Sequence, residues 1–196
     1  VEAFDFIANE TGAIVLDVRH QDQFVKGHIP QSVFVGIDGG FAPWVGVLLR
    51  NVNQPILLVT PKGREKETVI RLARVGFDNT LGYLEGGIES WVNAGKRIDI
   101  IQRITANKLK KEIKKNNLAI FDVRKSSEFI SEHIPYAENT PLDLIDKHIC
   151  EFPSQNSFYI HCAGGYRSVI AASILKSRGF HNLIDVEGGF TKIKEN

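Results

Sequence analysis

The chain is written twice. "IVLDVRHQDQFVKGHIPQSV" at 14–33 returns as "AIFDVRKSSEFISEHIPYAE" at 119–138, so that Asp17, Arg19, Phe24, His28 and Pro30 recur as Asp122, Arg124, Phe129, His133 and Pro135 at one offset of 105 residues. Further on, "PILLVTPKGREKETVIRLARVGFDNTLGYLEGG" (55–87) returns as "SFYIHCAGGYRSVIAASILKSRGFHNLIDVEGG" (157–189). A repeat restricts the fold more than any single motif, because each copy has to close a core of its own. A unit of about 98 residues is large enough to do so. The expected division is 1–98 and 99–196, joined near "NAGKRIDIIQR". Gly95 ends the last helix of the first copy, and Thr105 caps a lysine-rich helix (TANKLKKEIKKNN) that opens the second. The lysine run reads as a solvated face rather than a binding patch.

Both copies follow one order. A short apolar run (AIVLDV; LAIFDV) is β-like by length and branching. A polar helix (HQDQFVKG; KSSEFISE), a His-Ile-Pro loop and a second apolar strand (ILLVT; FYIHC) follow. An amphipathic helix ending at glycine (ETVIRLARVG; SVIAASILKSRG) and a last strand (TLGYLEGG; NLIDVEGG) complete the unit. Strands alternating with helices predict an α/β fold, two small parallel sheets each flanked by helices. Ligands of such sheets bind beyond the C-terminal ends of the strands. Cys162 stands at that place, at the end of a strand and just before a helix.

The stretch "HCAGGYRS" makes Cys162 a nucleophile candidate rather than a core residue. Glycines let the N–H groups of Ala163, Gly164, Gly165 and Tyr166 turn inward as an anion-binding nest. A helix starting near Ser168 adds the positive end of its dipole and Arg167 a full charge, and all of these favour the thiolate, the form that attacks. Cys150, in "DKHICEF", lies on an apolar helix stripe without glycines and reads as core filler.

These features resemble the rhodanese family of sulfurtransferases over essentially the whole length. The residues that carry the resemblance are "DVR" and "HIP" in both copies, "CAGGYRS" in the second, and "EGG" near both ends. The family's C-x-x-G-x-R loop is filled in order by Cys162, Gly165 and Arg167. The loop is one residue shorter than the H-C-x-x-G-x-x-R loop of cysteine phosphatases, and by resemblance a loop of this length suits one sulfane sulfur. The resemblance implies a two-step transfer through a Cys162 persulfide, with thiosulfate or a small persulfide as donor and cyanide or a thiol as acceptor. No metal or organic cofactor is needed. Ala163, Gly164, Gly165, Tyr166, Arg167 and Ser168 would bind the substrate, with Arg167 either holding the anionic donor or ordering the loop. A docking module without catalysis and a phosphatase are the alternatives.

The first copy lacks the nucleophile. Thr60 stands where Cys162 does, "TPKGR" is one residue shorter than "CAGGYR", and Pro61 removes an N–H from the nest. That unit is expected to be inactive, walling the active site or docking a partner. Asp17, Arg19, Asp122, Arg124, His28 and His133 recur in the active and the inactive copy alike, which points to structural roles. "DGGFAPWVGVLL" (38–49) has no counterpart in the second copy, and its Phe41 and Trp44 are expected at a seam between the units or on a partner surface.

Composition excludes several other classes. A net charge of +1 gives no support to nucleic-acid or membrane-surface binding, and no apolar run is long enough to cross a bilayer. Two cysteines make no disulfide framework, so a reducing, cytoplasmic compartment is expected. The chain has no methionine and starts in what reads as a helix, which suggests a piece of a longer protein. "GGFAPWVG" and "LGYLEGGIESW" resemble rhodanese portions fused to a metallo-β-lactamase-fold domain, an expected partner within the full-length chain.

Overall fold

The computed structural model describes residues 1–114 and 118–195, which leaves part of the KKNN end of the lysine run outside the described residues. The chain divides into two compact units, Val1–Ile100 and Ile101–Asn196.

In the first unit the order is α1 (Glu2–Thr11), β1 (Ile14–Asp17), α2 (Gln21–Lys26), β2 (Val33–Phe34), α3 (Phe41–Leu48), β3 (Ile56–Val59), α4 (Glu65–Ala73), β4 (Thr80–Tyr83) and α5 (Gly87–Asn93). The sheet order is β2-β1-β3-β4, and every pairing is parallel. The central strand β3, Ile-Leu-Leu-Val, is buried at all four residues, as a strand covered on both faces must be.

The second unit runs β5 (Gln102–Thr105), α6 (Ala106–Ile113), β6 (Ile120–Asp122), α7 (Ser126–Ser131), β7 (Glu138–Asn139), α8 (Ile145–His148), β8 (Phe158–His161), α9 (Tyr166–Ser177), β9 (Leu183–Glu187) and α10 (Gly189–Glu195). Its sheet has a fifth strand, in the order β5-β9-β8-β6-β7, again all parallel. Thr105 caps α6 as expected, its side chain accepting from the Lys108 N–H at 3.4 Å.

Four features depart from the expectations. The edge strands β2 and β7 are two residues long, too short for any periodicity to mark them. Helix α9 is not amphipathic: every residue from Ser168 to Lys176 is buried, because it packs on β8 and β9 and also against the turn at Leu142–Leu144. Cys150 is exposed, not core. The helix stops at His148 and tightens into a 3-10 turn at Ile149–Glu151, which turns Cys150 outward. Phe152 takes the buried seat instead, 4.7 Å from Phe121 and 5.5 Å from Phe158. Phe41 belongs to the core of the first unit, fully buried beneath the Arg71 guanidinium at 5.3 Å, and Trp44 is half-buried. Between β7 and β8 the second unit fills the corresponding place with α8 and its flanking turns, without sequence likeness.

The DVR repeat is a buried bracket. Arg19 grips Asp17 at 2.6 Å and donates to the Gly27 carbonyl at 2.8 Å. Arg124 does the same with Asp122 at 2.6 Å and the Glu132 carbonyl at 2.7 Å. Each arginine ties the end of a central strand to the end of the following helix, and its charge is compensated where it is buried. His28 and His133 stack on Phe24 and Phe129 at 4.0 Å, each with Nδ1 on the carbonyl of the stacked residue. These recurring residues hold the fold in both copies.

Candidate active site

Strand β8 ends at His161, and the loop from Cys162 to Gly165 leads into α9. Cys162 is buried, and its Sγ accepts the Gly165 N–H at 3.1 Å. Gly165 takes φ of 94°, a conformation that favours glycine, and with it the chain turns into α9. The carbonyls of the loop point the other way. Phe190 N–H donates to the Cys162 carbonyl at 2.7 Å and Thr191 N–H to that of Ala163 at 3.0 Å. Those two oxygens are drawn to the start of α10, while the Gly165 N–H meets the sulfur.

The "EGG" motif makes this arrangement possible. Gly189 has φ of 56°, and a Cβ there would run into the Cys162 and Ala163 carbonyls, the latter at 2.7 Å. Sequence reasoning took EGG as a family mark only; the signal for its role was its recurrence just after the last strand of each copy.

The other expected residues fall as follows. Ala163 is half-buried and Gly164 exposed, and α9 begins at Tyr166, two residues earlier than expected. Tyr166 and Arg167 form its half-buried first turn, and Ser168 lies fully buried in the same turn. Arg167 is clamped by Glu128, Nη1 to Oε2 at 2.6 Å and Nη2 to Oε1 at 2.8 Å. This pair lowers the Glu128 pKa and raises that of Arg167. Glu128 was not identified from the sequence, although the comparison of copies contained the signal: its counterpart in the first unit is Gln23. The clamp ties the first turn of α9 to α7, which favours the loop-ordering role for Arg167.

His161 is fully buried. Its Nδ1 lies 3.2 Å from the Cys162 carbonyl and its Nε2 3.8 Å from Asp122 Oδ2. Burial lowers its pKa, the nearby Asp122 opposing only in part. The ring is held neutral and makes no contact with the thiol.

Asp185, on β9, is the other group the sequence did not reveal. It is fully buried, bonded to Arg103 Nε at 2.9 Å and next to Ser168, and burial raises its pKa to about 6. An unfolded aspartate ionises near 3.9, so the folded chain keeps this proton to higher pH. The stability it contributes is complete below about pH 4 and is lost as pH rises through about 6. The unfolding free energy of Asp185→Asn relative to wild type therefore rises by up to about 3 kcal/mol between pH 4 and pH 7. Urea unfolding at the two pH values measures it, and parallel pH profiles would contradict it.

In the first unit the same loop is closed. Thr60 is buried, and the Glu65 carboxylate takes the Gly63 N–H at 3.0 Å and lies 3.4 Å from the Thr60 hydroxyl. These backbone bonds lower the Glu65 pKa. Gly63, three residues after Thr60, holds the position that Gly165 holds after Cys162. A side-chain carboxylate thus occupies the N–H group that meets sulfur in the second unit. Arg64 is drawn away to Asp38 and Glu67 at 2.6 and 2.8 Å.

Comparison with known proteins identifies the family. The family model described as "Rhodanese-like domain" matches residues 3–94 and again residues 105–196. The Bacillus subtilis protein YrkF is 33% identical over 106 residues, 54% of this chain and 55% of that protein. A protein of Allochromatium vinosum named "Sulfurtransferase" is 29% identical over 73 residues, 37% of this chain and 68% of that protein. The crystal structure of a rhodanese-like domain protein from Staphylococcus aureus is 32% identical and covers 47% of this chain and 91% of that one, with a TM-score of 0.45. The chain therefore spans little more than half the length of YrkF, and with a matching domain in each of its two units it belongs to the rhodanese-like domain family.

Proposed function

We propose that the second unit is a sulfurtransferase working through a persulfide on Cys162, and that the first unit does not turn over. One observation carries the reading: the Cys162 sulfur is met by the Gly165 N–H at 3.1 Å in a loop whose neighbouring carbonyls are bonded away. Such a site stabilises anionic sulfur both as the thiolate and as the persulfide. The Cys162 thiolate attacks the sulfane sulfur of thiosulfate or of a small persulfide. The sulfur–sulfur bond breaks, and its electron pair leaves with sulfite or with the thiolate of the donor. The terminal sulfur of the Cys162 persulfide is then taken by cyanide or a thiol, and the Cys162 thiolate returns. The relative named as a sulfurtransferase supports this class of reaction.

A reducing compartment such as the cytoplasm keeps both thiols free. Among the described residues no helix is long and apolar enough to cross a membrane. The proposal extends to a metallo-β-lactamase-fold domain in the full-length chain as supplier or consumer of the persulfide, a link resting on "GGFAPWVG" and "LGYLEGGIESW" alone.

Intact-mass measurement tests the reading. Incubation with thiosulfate, and separately with glutathione persulfide, should add the mass of one sulfur atom. Peptide mapping should place it on Cys162 and not on the exposed Cys150, and cyanide should remove it. If neither donor adds sulfur while the Cys162 thiol still alkylates, the docking-module reading replaces this one.

A further inference from the structure

The proposed reaction leaves one buried acid of the second unit without a task. Asp185 is fully buried on β9, and in the sheet it pairs directly with Arg103 of β5 on one side and with Ile160 of β8 on the other. Side chains alternate along a strand, so residues in register share a face, and Cys162, two residues beyond Ile160, returns to that face. One strand across and two residues along sets the Asp185 and Cys162 backbones roughly 8 Å apart.

The acid is only half compensated. Arg103 Nε holds Asp185 Oδ2 at 2.9 Å, and the arginine side chain is itself 18% exposed. The Ser168 hydroxyl adjoins the carboxyl from the first turn of α9, the turn that follows the reactive loop. Among the described residues neither Ser168 Oγ nor Asp185 Oδ1 has a hydrogen-bond partner. Arg167, in the same turn, is turned to Glu128, and β8 presents the apolar Ile160. Glu187, further along β9, adds a negative charge that favours the protonated acid. A carboxyl group thus lies behind the loop in which a thiolate has to form. Two anions this close in a poorly solvated interior oppose each other, and each makes the other hold its proton more tightly.

We propose that Asp185 is a positioning residue for the nucleophile: held by Arg103 behind the reactive loop, its charge opposes that of the Cys162 thiolate, so that carboxyl and thiol ionise as a coupled pair. The inference rests on Cys162 as the nucleophile of the second unit. Its consequence is a working range that extends toward acid. Asp185 keeps its proton up to about pH 6. Above that pH the loop faces a neutral carboxylate–guanidinium pair, and below it the Arg103 cation alone. Acidification therefore strengthens the hold on anionic sulfur while it removes thiolate.

Alkylation of the full chain by iodoacetamide across a pH series, read on the Cys162 peptide by mass spectrometry, tests the proposal. The pH of half-maximal rate should be lower by about one pH unit in Asp185→Asn, which removes the charge and leaves Arg103 uncompensated. Adding Arg103→Gln should restore about half of that lowering, whereas a merely structural fault is not mended by a second loss. Asp185→Val removes the same charge in a form that suits a buried strand, and it carries the test if the asparagine variant does not fold. An unchanged or raised midpoint, or a double variant with a still lower one, would overturn the proposal. Sulfur loading of the wild type from thiosulfate, measured in parallel, keeps the two readings apart. Loading without the expected midpoints strikes this inference alone, and the expected midpoints without loading strike the transferase reading alone.

Discussion

Cys162→Ser is expected to abolish transfer, lowering thiocyanate formation from thiosulfate and cyanide by at least about 10⁴-fold. A serine hydroxyl needs a base to remove its proton, and among the described residues none is bonded to the Cys162 sulfur. The nitrogens of His161, the adjacent histidine, face the Cys162 carbonyl and Asp122, and burial keeps its ring neutral. Arg167, permanently protonated and with both terminal nitrogens on Glu128, cannot serve as that base. A cysteine would need no such base, since a thiol ionises far more readily than an alcohol. The variant should fold normally, since the smaller hydroxyl still accepts the Gly165 N–H. Residual turnover within about tenfold of wild type would move the nucleophile elsewhere, with exposed Cys150 as the alternative.

Gly189→Ala is expected to be nearly as damaging to transfer and far more damaging to stability. An alanine at φ of 56° costs about 1–2 kcal/mol for the backbone alone. Its Cβ would also push against two backbone carbonyls of the loop, which are held in place by the Phe190 and Thr191 N–H groups. The total should reach at least about 3 kcal/mol, and the carbonyls should lose the Phe190 and Thr191 N–H groups that keep them outside the loop. The first unit supplies the control. Gly87 has φ of 63°, but a Cβ there meets only the Glu89 carboxylate, 3.1 Å away at the end of a flexible side chain. Gly87→Ala should therefore lose only the backbone cost of about 1–2 kcal/mol and no sulfur loading. Urea unfolding together with mass measurement after thiosulfate compares the two, and equal losses in both variants would show that the motif has no special role at the reactive loop.

The sequence revealed what depends on chain order and hid what depends on meeting across the fold. The repeat, the parallel α/β units, the cysteine at a strand end and the shortened first loop follow from local spacing. The Asp122–Arg124 bracket could be expected because its members are two residues apart and recur. Glu128 lies 39 residues from Arg167 and Asp185 lies 82 from Arg103, and no local pattern links such pairs. Cys150 was misread for a related reason. A helical stripe was projected through a helix that ends at His148, and one turn of 3-10 geometry was enough to expose the side chain.

The carboxylate of Glu65 sets the first unit on a one-way course. A single codon change from Thr60 to cysteine would bring a thiol to a loop that is still one residue short, lacks the N–H at Pro61 and already satisfies the Gly63 N–H from within. Recovery would need an insertion and at least two further replacements at once, each without benefit alone. On the proposed reading such a copy is released from the demands of chemistry, while its frame of buried arginines and stacked histidines stays in place.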